Sequence, residues 1–145
     1  MKIFGHPIHV MLIHFPSALL PMDLVCSILG YNMNDPSFVK AAFYASAGGV
    51  ILGWLAIIAG AFDLAKLAGE RNDLVKKALT HAGINLVVII GFSLIAFTTW
   101  KQYPAPEPDS IGKMILKGGL IAFMIIGNFI GGSLVLKDRV GAAEH

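Results

Sequence analysis

Four apolar runs, each of about 20 residues or more, set what this chain can fold into. They cover residues 8–29, 41–62, 78–100 and 114–136 to within about a residue or two. A helix needs about 20 apolar residues to cross roughly 30 Å of hydrocarbon. The second run has no charge, the third carries only His81, and the fourth carries only Lys117. Lys117 is near enough to the end of its run for its ammonium to snorkel to the headgroups. The strands of a membrane barrel would alternate apolar and polar residues, and these runs do not. Charged residues make up 14% of the 145-residue chain and hydrophobic residues 56%. Roughly 25% charged is usual for a soluble domain, so the solvent for most of this chain is lipid. The reading is an all-α integral membrane four-helix bundle, a single four-span domain over residues 1–145.

The connections are short and rich in turn formers: NMNDPS at 32–37, GERND at 69–73 and YPAPEPDS at 103–110. None could hold a soluble domain. The first run is interrupted by His14, Pro16, Pro21 and Asp23 and is followed by no small-x-small site, so it reads as a span rather than a cleaved signal. With four spans, one side of the membrane receives Lys2, Lys66, Arg71, Lys76, Lys77, Lys137 and Arg139. The other receives Lys40, Lys101 and Lys113, with Lys117 as a fourth. The positive-inside bias then puts both termini in the cytoplasm of a bacterial inner membrane. Trp100 and Tyr103 at the opposite end fit an interfacial aromatic belt.

Several function classes drop out. A net charge of +2 gives no basis for nucleic-acid binding. A single cysteine, Cys26, excludes an internal disulfide and any cysteine-clustered zinc or iron–sulfur site. No Ser-His-Asp set or phosphate loop stands out, and Gly48-Gly49 lies inside a lipid span. An independent transporter is disfavoured because no inverted repeat relates the halves.

What remains is histidine. Three of five, His6, His9 and His14, lie in the first fourteen residues, and His81 lies two spans later. His14 is about six residues into its span and His81 about seven past Leu74, so the two come within roughly 5 Å of one depth. Two imidazoles facing each other at one depth can take the axial positions of a haem iron. Hydrogen bonding to a neighbouring helix or to interfacial water is the bland alternative for all four. Near them, Asp63 shares their membrane side and Asn85 lies one turn after His81, as partners for a ligating imidazole would. Pro16 and Pro21 leave the carbonyls of Leu12 and Ser17 without intrahelical donors, which predicts a kinked first helix. Asp23 lies deep and toward the outer side, open to protonation, to a polar partner or to a proton path. Small residues recur every four positions at Ala45, Gly49 and Gly53 and at Gly127 and Gly131. They predict close helix packing, or a flat ring lying against those faces.

The segments GHPIHVMLIHFPSALL, GAFDLAK, HAGIN and GGSLVLKDRVG, in that order, resemble a bacterial four-helix membrane family, domain of unknown function 2231. The resemblance covers essentially the whole chain and points to His6, His9, His14, Asp63, His81 and Asn85. The chain departs from the pattern at Val10, where the family has a second proline. Members of that family are often found beside, or fused to, redox proteins such as cytochromes, so the resemblance implies a redox partner.

Three functions follow as expectations. The first is a b-type haem protein relaying electrons between a quinol and a redox subunit, with His14 and His81 as ligands and His9 in reserve. The second is a copper or zinc protein using His6, His9 and His14, since imidazole suits both metals. The third is a cofactor-free subunit that anchors a larger membrane assembly. An electron-transfer or accessory role, as a homo- or hetero-oligomer in the lipid bilayer, fits better than a stand-alone enzyme.

Overall fold

The computed structural model describes residues 2–3, 6–65 and 72–136. Side chains are described for 8–65 and 72–134. The His6 side chain lies outside these, as do Lys66, Arg71, Lys137 and Arg139, which enter the charge count, and His145.

Four helices are long and apolar enough to cross a membrane. A short antiparallel pairing of β1 (Lys2–Ile3) with β2 (His6–Pro7) leads into α1 (Ile8–Leu12) and α2 (His14–Met33). Then come α3 (Pro36–Ala65), α4 (Asn72–Trp100) and α5 (Ile111–Leu136). All of α3, α4 and α5 begin before the apolar runs do, and capping side chains, Asp35 and Ser110, start α3 and α5. Asp35 accepts a hydrogen bond from the Ser37 amide at 2.8 Å and precedes Pro36, whose missing N–H costs nothing at a first helical position. That bond holds the Asp35 carboxyl below its ordinary pKa.

The proline-driven irregularity in the first span is present at Ile13, which separates α1 from α2. Pro16 cannot donate to Leu12, while Ile13 and Ser17 keep backbone bonds of 3.1 and 3.2 Å and the Ser17 hydroxyl adds 2.7 Å to the Ile13 carbonyl. Ile13 itself holds helical dihedrals, φ −64° and ψ −20°.

Sequential helices pack side by side, and α5 returns against α2. The waist is filled by Leu20, Val88, Ile89, Phe92 and Met124. The small-residue stripe of α3 admits aliphatic side chains: Leu20 lies against Gly49 and Ile89 against Gly53. The outward faces carry large apolar groups such as Ile51, Leu94, Ile115 and Phe129. Such exposure is what lipid contact requires, and water would not tolerate it.

Two polar sites in an apolar bundle

The first site joins α1 and α4. His9 points inward onto α3, where its Nδ1 lies 2.8 Å from the Ala56 carbonyl. His81 reaches α5, where its Nδ1 lies 2.7 Å from the Gly127 carbonyl. A carbonyl only accepts, so in each ring Nδ1 carries the proton, and in the neutral ring Nε2 keeps a free lone pair. Neither Nε2 has a hydrogen-bond partner among the described residues. The two ring centroids are 6.1 Å apart with planes at 83°.

Glycine makes this arrangement possible. A Cβ at Gly131 would lie 2.5 Å from Cε1 of His81, and one at Gly60 would lie 2.9 Å from the His9 ring. The imidazoles therefore rest directly on the backbones of α5 and α3. Gly127 gives Asn85 the same access, and Asn85 donates 2.9 Å to the His81 carbonyl while its Nδ2 sits 3.2 Å from the His81 Nδ1. The flat group against the Gly127–Gly131 face is thus the His81 imidazole itself.

The structure brings together His9, His81 and Asn85, and sets His14 apart. The His14 side chain is exposed on the outer face of α2. The reason is rotational: five residues along a helix turn a side chain by about 140°, so a chain that aims His9 at the core aims His14 at lipid. Depth matching with His81 is met by His9 rather than His14. His6 stands on β2, and Asp63 is three residues beyond Gly60 at the same end of the bundle. No group of three metal-ligating side chains forms among the described residues. The expected site on His6, His9 and His14 depends on the His6 side chain, which lies outside the described residues.

The second site lies at the other end, about 20 Å away along the axis of α5. Here Lys117 corrects the expectation that it snorkels outward. It is buried at 2% exposure, with its Nζ 2.5 Å from Asp23 on α2 and 2.5 Å from Asp109 in the α4–α5 connection. Buried carboxylates close at hand outcompete the headgroups for the ammonium. Ser27 joins them, accepting from Lys117 at 2.9 Å and lying 2.9 Å from Asp109 Oδ2. Lys113 adds a 2.9 Å pair with Asp109 on the outer edge. Burial pushes the Asp109 carboxyl pKa up, but its bonds to Lys117 and Lys113 outweigh that and hold it below the usual range. Of the alternatives open to Asp23, a polar partner is the one observed. The sequence reading missed Ser27 and Asp109 altogether, and the only signal for Asp109 was its place among the prolines of the last loop.

Next to this cluster Tyr44 and Tyr103 share a 2.9 Å hydroxyl contact, and Trp100 is exposed at the end of α4. Aromatic groups at one level of the bundle are the pattern of a membrane interface.

No curated protein and no solved structure matches the chain. One family profile, described as "Predicted membrane protein (DUF2231)", matches residues 5–144, which include both polar sites. The chain belongs to this family of membrane proteins.

Proposed function

We propose that the chain is a multi-pass protein of the bacterial cytoplasmic membrane that binds b-type haem and relays electrons. In this reading His9 and His81 would hold the haem iron. One observation carries it: two imidazoles on separate elements, each fixed through Nδ1 by a backbone carbonyl, stand 6.1 Å apart with no partner at Nε2 among the described residues. Rings at that spacing are near enough for both to hold one metal ion through bonds of about 2 Å. Fixing the far nitrogen is also how proteins set the tautomer and raise the basicity of a ligating histidine.

Gly60, Gly127 and Gly131 seat the imidazoles and Asn85, and the buried Ala56, Ala59 and Ala78 add only small side chains around them. When bound, the haem would supply a one-electron couple. The chain's own part is to hold both imidazoles, to keep Nδ1 protonated and to exclude water with apolar helices. Quinone and a cytochrome-like redox subunit are the partners that this reading implies, with the protein as a subunit of their complex. Copper or zinc between the same two nitrogens is the competing occupant, and a cofactor-free anchor is the other.

The test is an optical spectrum of the purified protein with and without dithionite, together with elemental analysis. The expected result is a Soret band with a reduced-minus-oxidised change, lost in His9→Ala and in His81→Ala and kept in His14→Ala. Stoichiometric copper or zinc without porphyrin overturns the haem reading. So does a stable larger complex in which this chain carries no cofactor, or a full spectrum retained by His81→Ala.

A further inference from the structure

The Lys117 cluster has a charge problem and two orphaned atoms, and together they suggest an activity. Asp23 is 0% exposed, Lys117 2% and Asp109 7%. Two carboxylates and one ammonium withdrawn from water leave one negative charge in excess, which a low-dielectric interior penalises heavily. Lys113 relieves Asp109 only from the outer edge, where its side chain is 25% exposed. Asp23 and Asp109 meet the same ammonium and the same Ser27 hydroxyl, so their protonation is coupled.

The orphans lie on the inner side of the cluster. Asp23 Oδ2 and Ser46 Oγ are buried beside each other, and by distance and angle neither has a hydrogen-bond partner among the described residues. Both residues line one cavity of about 10 Å³, shared with Ser27, Thr99, Asp109 and Lys117. That is about the room one water needs. A buried oxygen left without a partner is costly as a carboxylate, whereas a protonated carboxyl becomes a donor to such a water or to Ser46.

We propose that Asp23 and Asp109 share one exchangeable proton around Lys117, and that the cluster passes it between the membrane interior and the α4–α5 surface. In the transfer, with the proton on Oδ1, the O–H bond of protonated Asp23 breaks and its proton goes to Ser27 Oγ, 3.3 Å away. The Ser27 hydroxyl proton passes to Asp109 Oδ2, which lies 2.9 Å away. One proton moves, no electrons change hands, and Lys117 stays cationic in contact with whichever carboxylate is left ionised. Asp109 then exchanges with water at the edge that Lys113 occupies. The titratable groups around Asp23 are Lys117 on α5, Asp109 in the connection with Lys113 beyond it, and Cys26 on its own helix. To the cavity α3 and α4 bring the hydroxyls of Ser46 and Thr99.

The alternative is a fixed, fully ionised clamp that only ties α5 to α2. Infrared spectroscopy of the whole protein in lipid bilayers separates the two, from about pH 4 to pH 9 in H2O and D2O. The proposal expects a protonated-carboxyl stretch that is absent in Asp23→Asn. It also expects hydrogen–deuterium exchange of that band to slow by about tenfold or more in Asp109→Asn. A cluster with no Asp23 band at any pH in the range, or a band whose exchange is unchanged in Asp109→Asn, overturns the proposal. Should Asp23→Asn fail to insert, wild-type protein with 13C-carboxyl aspartate carries the same test. A titrating band that shifts with the label supports shared protonation, and its absence overturns it. The measurement needs no cofactor, so it succeeds or fails apart from the haem reading.

Discussion

At the scale of single residues, the decisive positions are those with no side chain. Gly131 and Gly60 fix where two imidazoles lie, and neither was singled out from spacing as part of a histidine site. Periodicity shows that Gly127 and Gly131 share a face, but not that the face receives His81. The His81–Asn85 pairing was legible because residues four apart on a helix are neighbours. The choice between His9 and His14 was not, because depth counts residues along the axis while burial depends on rotation about it. Gly131→Ala should force the His81 ring away and cost about 1–3 kcal/mol, as overpacking does. Gly83→Ala, where nothing lies within 4 Å, is the control. It should change stability by no more than about 1 kcal/mol, in the stabilising direction. Thermal unfolding of both variants in detergent, with the absorption spectrum alongside, measures the difference.

At the scale of elements, the four spans were legible because lipid imposes one rule on all of them: about 20 apolar residues per crossing. What tied the last span to the first was hidden. Lys117 and Asp23 are 94 positions apart, and no local pattern joins them. A lysine near the end of an apolar run looks the same whether it snorkels or pairs. The pairing gives α5 a specific anchor on α2, where apolar contact alone would leave rotation and depth loosely set. Lys117→Met should lower stability by about 3–5 kcal/mol, the cost of leaving a buried carboxylate without its partner. The double change Asp23→Leu with Lys117→Met should recover much of that loss. Unfolding titrations in mixed detergent micelles would show it, and a single variant as stable as the wild type would remove the anchor role.

At the scale of the whole molecule, the bundle keeps its two polar sites at opposite ends with the Leu20–Phe92 waist between them. The lysine and arginine asymmetry predicts that the histidine end faces the cytoplasm. Reporter fusions after residue 145 and within 103–110 test this. The first should be active only with a cytoplasmic reporter and the second only with a periplasmic one, and the reverse pattern inverts the orientation. The depth of Asp23 has an electrical consequence. It lies six residues before the end of the first apolar run at Leu29, about 9 Å or roughly a third of the hydrocarbon thickness. A unit charge crossing the full membrane potential exchanges about 2.3 kcal/mol per 100 mV. A proton arriving at Asp23 from the loop side crosses about a third of that drop, roughly 0.8 kcal/mol per 100 mV. Its occupancy there would change by roughly fourfold for each 100 mV across the membrane. Voltage, as well as pH, then sets the charge state of the cluster.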